Sequence, residues 1–138
     1  MGKSFVIADM EGQFRADTIY YKDYLEAESL ETLIDLMDGD DEILLDLVET
    51  SLDSNSELLQ DLISSVETQN ADGVREAAHS LKSSNGQLGA TAFSNLCLDM
   101  EMMGKNGDLS SAPETLLKLK EEADRLEKAL TSWKKDLS

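Results

Sequence analysis

The sequence predicts an all-α protein: an antiparallel up-down four-helix bundle preceded by a short N-terminal helix. The 138 residues fit one compact domain. Twenty-two leucines stand against nine valines and isoleucines, a balance that favours helices over strands. Apolar residues recur at intervals of three and four along most of the chain, which is the spacing of amphipathic helices. Four long stripes joined by short connections make a bundle.

Residues 1–22 carry no clear helical pattern. The apolar run at positions 5–7 is short, and Gly12 interrupts any helix. We interpret this stretch as a flexible lead-in or as a linker remnant from a longer chain. The bundle domain is then predicted over residues 23–138.

The first two helices of that domain are separated by a turn. A short amphipathic stripe from Leu30 to Met37 stops at the sequence DGD, positions 38–40. Asp40 or Asp41 can cap the long helix that follows, since short acidic side chains accept hydrogen bonds from the first free N–H groups. The sequence NADG at 70–73 is typical of a turn and ends that helix.

Three further helices complete the bundle. One runs from Val74 to a stop near Gly89, the next from an N-cap at Thr91 to glycines 104 and 107, and the last follows Pro113. The residues predicted to face the core are Ile43, Leu44, Leu47, Val48, Leu52, Leu59, Leu62, Ile63 and Val66, then Val74, Ala77, Ala78, Leu81 and Leu88, then Phe93, Leu96, Cys97, Met100 and Met103, and finally Leu116, Leu119, Ala123, Leu126, Leu130, Trp133 and Leu137.

Charge and composition exclude several classes of function. The net charge is −17, and fourteen acidic residues but no basic one lie between Asp23 and Asp61. Such an excess repels nucleic-acid phosphates and anionic membranes, so neither is an expected partner. The single cysteine, Cys97, excludes an internal disulfide framework and any multi-cysteine zinc or iron–sulfur site, and the single histidine, His79, leaves any metal site short of imidazole ligands. We expect a cytoplasmic monomer without a cofactor.

His79 lies on the second bundle helix, away from its apolar stripe. At about 100° per residue the imidazole points about 150° from the centre of the core face, so we expect it in solvent. Lys82 follows one turn later, and Arg75, Ser83 and Gly86 lie on the same side. The surface around the ring therefore combines small residues with two cations.

These residues suit phosphoryl chemistry. A neutral imidazole is a competent nitrogen nucleophile near neutral pH. Phosphoryl transfer spreads negative charge over three oxygens, which Lys82 and Arg75 could offset. The chain has no glycine-rich phosphate loop and no other nucleotide motif. It could therefore hold a phosphoryl group, but we do not expect it to take one from ATP without a partner.

The segment AHSLKSSNGQLGA, residues 78–90, resembles the signature of histidine-containing phosphotransfer (HPt) domains, typically A-H-x-L-K-G-S-x-x-x-L-G-A. The later segment MEMMGKNGD is also similar to that family, and the similarity covers about residues 25–135. The resemblance implies a four-helix bundle that acts in a phosphorelay. Such a domain accepts a phosphoryl group from the aspartate of a receiver domain, or from a partner kinase, and passes it to another receiver.

The resemblance also assigns roles to individual residues. It implies that His79 is the phosphoacceptor, at Nε2, and that Lys82 neutralises the phosphoryl oxygens. Gly86 matches a small position of the family, and Gln87 is a polar neighbour of the site. Ser83 departs from the pattern, where glycine is usual. The implied partners are the receiver domains of response regulators and a hybrid sensor histidine kinase, and the receiver would bring the Mg²⁺.

Two alternatives remain open from the sequence. The chain could be a non-catalytic helical adaptor that keeps the bundle, and Ser83 is the feature that favours this reading. It could also be the phosphoacceptor domain excised from a larger hybrid kinase.

If the short first helix covers the end of the bundle near His79, then Leu33, Ile34 or Met37 would supply an apolar docking patch.

Overall fold

The computed structural model describes residues 18–138, and over that range it contains six helices and no strand. The helices are α1 (Tyr21–Tyr24), α2 (Ala27–Leu36), α3 (Asp41–Glu67), α4 (Ala71–Gln87), α5 (Thr91–Asn106) and α6 (Ala112–Leu137). None of these six has a stretch long and apolar enough to cross a membrane. The all-α class is confirmed, while residues 1–17 of the predicted lead-in lie outside the described residues.

Helices α3 to α6 form the bundle. Each packs against two others, in the closed order α3, α4, α5, α6 and back to α3. The connections, residues 68–70, 88–90 and 107–111, are too short to cross the bundle, so successive helices run antiparallel. The largest side chains that the bundle buries completely are Trp133, Phe93, Leu62, Leu81, Leu88, Met100, Leu119, Leu126, Leu130 and Val48. All ten belong to the predicted core set, whereas Ile43 is exposed.

Side-chain caps decide where two of the helices begin. The carboxylate of Asp40 accepts hydrogen bonds from the N–H groups of Glu42 and Ile43, which confirms the predicted cap of α3. Asn70 acts in the same way on the N–H of Gly73. Helix α4 therefore starts at Ala71, within the sequence that was predicted to form only a turn.

The predicted N-cap of α5 is wrong by one residue, whereas its predicted end is confirmed at the second of the two glycines. Ala90 is the N-cap, and Thr91 is the first residue of the helix. No side chain makes a capping hydrogen bond at this end. Gly107 closes the helix with a left-handed φ of 72°, while Gly104 lies inside it. A Cβ atom on Gly104 would lie 2.6 Å from the backbone nitrogen of Arg75. Glycine at this position therefore lets the backbones of α4 and α5 approach closely.

The chain is already packed before residue 23, where the predicted domain begins. The buried ring of Tyr21 stacks on Trp133 of α6, with ring centres 5.5 Å apart, and its hydroxyl donates a 2.7 Å hydrogen bond to Asp136. The hydroxyl of Tyr24 donates to Glu122 on the same helix. Helix α1, which the sequence did not predict, is thus attached to α6 by its two tyrosines.

The contacts of Tyr21 and Tyr24 with α6 should make the free energy of unfolding depend on pH in the alkaline range. Burial, followed by the hydrogen bonds to Asp136 and Glu122, raises the pKa of Tyr21 and of Tyr24 above the usual value. The folded state therefore holds these protons more tightly than the unfolded chain does. We expect the free energy of unfolding to be insensitive to tyrosine ionisation below about pH 10 and to fall above it by up to about 1.4 kcal/mol per pH unit for each tyrosine.

Urea unfolding at several alkaline pH values measures this effect. The matched control is the double variant Tyr21→Phe/Tyr24→Phe, which keeps both rings and removes both hydroxyl protons. The alkaline loss should be smaller in the variant. An identical pH dependence in the two proteins would contradict the assignment of the loss to these tyrosines.

Helix α2 is held against the end of α4 by backbone contact. The N–H of Glu26 donates a 2.9 Å hydrogen bond to the carbonyl of Gly89. Gly89 has a φ of 86°, and a Cβ atom there would lie 2.7 Å from the Glu26 nitrogen. This position needs glycine for both reasons. The contact places α2 beside the C-terminal end of the helix that carries His79.

Candidate functional site

The imidazole of His79 lies on the outer face of α4. Ala78 and Leu81, its neighbours on the inner face, are completely buried, while the side chain of His79 is 58% exposed. Solvent exposure of the ring follows from the helical spacing, as the sequence predicts. A second protein can therefore reach the ring without any rearrangement of the bundle.

One carboxylate on α5 contacts both predicted site residues. The Oε2 atom of Glu101 lies 2.9 Å from Nδ1 of His79, and its Oε1 atom lies 2.7 Å from Nζ of Lys82. The Glu101 side chain is only 18% exposed. Glu101 therefore bridges the imidazole and the ammonium group along the seam between α4 and α5.

The charge of Glu101 determines which ring nitrogen holds the proton. The hydrogen bond from Lys82 is the largest influence and lowers the pKa of Glu101, the hydrogen bond with His79 acts in the same direction, and partial burial opposes both. Glu101 is therefore ionised at neutral pH and can only accept hydrogen bonds. Nδ1 must then carry the proton, so that Nε2 of the neutral ring carries the free lone pair.

The arrangement suits attack by Nε2 on an electrophile. Among the described residues no side chain forms a hydrogen bond or ion pair with this nitrogen. The ammonium group of Lys82 lies beside the ring and is itself 30% exposed. A nucleophile, a carboxylate that orients it and a cation for negative charge are thus assembled on one accessible face.

The other predicted site residues lie around this group without touching the ring in the described contacts. The guanidinium of Arg75 is 3.8 Å from the carboxylate of Glu76. Ser83 and Gly86 are exposed, and a Cβ atom on Gly86 would meet the hydroxyl of Ser94 at an ordinary 3.6 Å. Packing therefore does not require glycine at this position, and its effect is to keep the surface beside the site low.

Two features lie on the buried side of the site. The first is a pair of asparagines that the sequence analysis did not identify, and the second is Cys97, which it did. The amides of Asn55 and Asn85 exchange two hydrogen bonds of 2.9 and 3.0 Å between α3 and α4, and Asn85 also donates to the carbonyl of Leu81. This pair fixes α4 against α3 one to two turns after His79. Cys97 is buried as predicted, and burial raises the pKa of its thiol to about 12.

A groove separates α2 from the end of α4. Its cavity volume is about 570 Å³, and its apolar wall comes from Leu33, Leu36 and Met37, with Gly86 and Gln87 opposite. Leu33 is buried, so it belongs to the core more than to a docking patch, whereas Leu36, which the sequence analysis did not select, is 73% exposed. Gln87 lies eight residues after His79, about 12 Å along the helix.

A helical bundle with one exposed, oriented imidazole beside a cation has the features of a histidine phosphocarrier. A family model described as "Hpt domain" matches residues 46–129, and the chain belongs to this family. Members of the family are phosphocarriers in two-component signalling, which gives this chain a histidine phosphotransfer role.

The fold of the chain is also that of a known Hpt protein. It matches the crystal structure of histidine-containing phosphotransfer protein B (HptB) from Pseudomonas aeruginosa PAO1 with a TM-score of 0.76 and 21% sequence identity. The match covers 82% of this chain and 96% of the other. No curated protein sequence matches the chain.

Proposed function

We propose that this chain is a phosphorelay intermediate that accepts a phosphoryl group on Nε2 of His79 from a receiver aspartate and passes it to a second receiver. The observation that carries the proposal is the hydrogen bond between Nδ1 and Glu101, which leaves Nε2 as the nucleophilic nitrogen of an exposed ring. Lys82 supplies the cation within the same cluster. Arg75, Ser83, Gly86 and Gln87 form the surrounding contact surface.

The transfer itself is an in-line displacement. The Nε2 lone pair attacks phosphorus while the bond from phosphorus to the donor aspartate breaks, and the aspartate leaves as a carboxylate. Onward transfer is the reverse reaction with a second aspartate as the nucleophile. Lys82 stabilises the charge that develops on the phosphoryl oxygens, and the Mg²⁺ that assists the reaction is expected on the receiver.

The chain therefore acts as a carrier that needs partners at both steps. The partners in this proposal are the receiver domains of response regulators and a hybrid sensor histidine kinase. A cytoplasmic location and a monomeric state, both expected from the sequence, remain predictions.

A phosphate-transfer assay tests the proposal. A receiver domain charged with a labelled small-molecule phosphodonor is mixed with the chain, and the chain is then separated and exposed to acid or to base. We expect a label on the chain that acid removes and base does not, and no label from ATP alone. Absence of transfer from several charged receivers would contradict the proposal and favour the non-catalytic adaptor.

The α2–α4 groove predicts where the receiver docks. A receiver that covers both the groove and His79 would bury Leu36, which contributes about 1.5–3 kcal/mol of binding free energy. We expect Leu36→Lys to weaken receiver binding at least about tenfold, measured as the receiver concentration that gives half the maximal transfer rate. The maximal rate itself should change little.

Leu117→Lys is the matched control for this variant. Leu117 lies on α6, across the bundle from α4, and it is 65% exposed, so the same substitution there tests the loss of an exposed leucine alone. This control should transfer as the wild type does. Equal weakening by the two substitutions would refute docking at the groove.

A further inference from the structure

We propose that Glu101 keeps the Nδ1 proton on the ring after His79 is phosphorylated, and so preserves phospho-His79 in the form that can pass its phosphoryl group on. This inference rests on the proposed function and concerns the second half of the reaction. Glu101 is then a positioning residue that acts through the ring and does not touch the phosphoryl group.

The argument begins with the leaving group. When Nε2 of a ring that holds the Nδ1 proton attacks phosphorus, the product is a phosphoimidazolium with one positive charge. In onward transfer an aspartate oxygen attacks phosphorus, the bond between phosphorus and Nε2 breaks, and its electron pair returns to Nε2. The ring leaves as neutral imidazole if Nδ1 still has its proton. If that proton has been lost, the ring must leave as the much more basic imidazolate.

Glu101 is placed to prevent that loss. Its Oε2 atom already accepts the hydrogen bond from Nδ1 at 2.9 Å, and phosphorylation at Nε2 leaves this side of the ring unchanged. The ring becomes cationic while the carboxylate remains anionic, so a neutral–anion hydrogen bond becomes an ion pair. An opposite charge at this distance favours the charged form of a titrating group, and so raises the pKa of a cationic ring by about one unit or more.

The remaining charged groups around the ring do not replace Glu101. By their position along the packed segments these are Arg75, Glu76 and Lys82 on α4, Asp99 and Lys105 on α5, Glu57 and Asp61 on α3, and, towards the far end of α4, Glu26 just before α2 and Glu28 within α2. Among the described contacts, Glu101 is the carboxylate that touches the imidazole. Lys82, the cation that shares Glu101 with the ring, would by itself favour loss of the ring proton, and its pairing with Glu101 offsets that effect.

The test compares the wild type with Glu101→Gln, in which an amide oxygen can still accept the Nδ1 hydrogen bond but carries no charge. Both proteins are phosphorylated chemically with phosphoramidate, so that the experiment does not depend on any receiver. NMR then follows the ring signals of phospho-His79 as the pH is raised. We expect the midpoint of this titration to fall by about one pH unit in the variant.

Glu76→Gln is the matched control, because it removes the same charge from an exposed residue three positions before His79 whose described contact is with Arg75. Its titration midpoint should stay near that of the wild type. A chase with excess uncharged receiver supplies the functional readout. Relative to the wild type, Glu101→Gln should transfer progressively more slowly as the pH rises, by about tenfold above the wild-type midpoint, since one pH unit is a tenfold change in the protonated fraction.

The outcomes separate the two proposals. An unchanged titration midpoint in Glu101→Gln, or a transfer defect of equal size at every pH, would overturn the role of Glu101. Wild-type phospho-His79 that titrates as expected but is never discharged by any receiver would overturn the proposed function while supporting the inference about Glu101. Circular dichroism of each variant checks that the bundle is intact.

Discussion

Replacing His79 with Gln is expected to abolish phosphoryl acceptance completely. The side chain of Gln is similar in length and polarity, but its amide nitrogen has no lone pair available for attack on phosphorus. No other residue in the described structure can take over the role, because His79 is the single histidine of the sequence. The acid-labile label that a charged receiver leaves on the wild type should therefore be absent from His79→Gln.

The fold should survive this substitution. The His79 side chain is 58% exposed, and its described polar contact is with Glu101, so the free energy of unfolding should change by less than about 0.5 kcal/mol. Circular dichroism and urea unfolding check this point. A label that persisted in a folded His79→Gln protein would place the phosphoryl group elsewhere and refute the site.

Replacing Lys82 with Gln is expected to slow transfer by about 100-fold without preventing it. Loss of one donor that stabilises developing charge typically costs a factor of this size in the catalytic step. Because the stabilisation is needed in the transition state, the maximal rate at saturating receiver should fall more than the apparent affinity for the receiver. Single-turnover transfer over a range of receiver concentrations separates these two quantities.

Two further variants make this result specific. Lys105→Gln removes the same charge from an exposed position on α5, and it should transfer nearly as the wild type does. Lys82→Arg keeps the charge and should recover part of the rate. The ion pair between Lys82 and Glu101 is partly buried, so urea unfolding of Lys82→Gln checks that instability does not explain a large defect. A Lys82→Gln protein with the wild-type rate would contradict the assigned role.

The sequence predicted the parts of the fold that depend on periodicity. The apolar stripes identified the four bundle helices and their core residues, since a period near 3.6 is retained over many turns. Helix ends were less predictable, because they depend on single contacts. Gly104 illustrates this limit: a glycine that normally ends a helix lies inside α5, where the close approach of Arg75 excludes a side chain.

Helix α1 was missed for a different reason. Its four residues are too few to show any periodicity. The stability of the segment comes from Tyr21 on Trp133 and from hydrogen bonds to residues of α6 more than a hundred positions away in the chain. Contacts of that range leave no local pattern in the sequence.

The site was predicted in part. Spacing on one helix was enough to place His79 and Lys82 on the same exposed face, because they share a single rigid element. Glu101 lies on the next helix, and the signal for it was the register of the hairpin. Two antiparallel helices that turn at Ala90 bring position 79 level with position 101, eleven residues on either side. The equal spacing about Ala90 does not show how α5 is rotated about its own axis. This rotation is what turns Glu101 toward α4.

The most direct test of the central claim is to identify the ring atom that a charged receiver phosphorylates. The chain is labelled with ¹⁵N at histidine, phosphorylated by the receiver and studied by NMR, in which coupling to phosphorus marks the modified nitrogen. We predict a phosphoryl group on Nε2 of His79, with the proton retained on Nδ1. Phosphate on Nδ1, or on a side chain other than His79, would contradict the account.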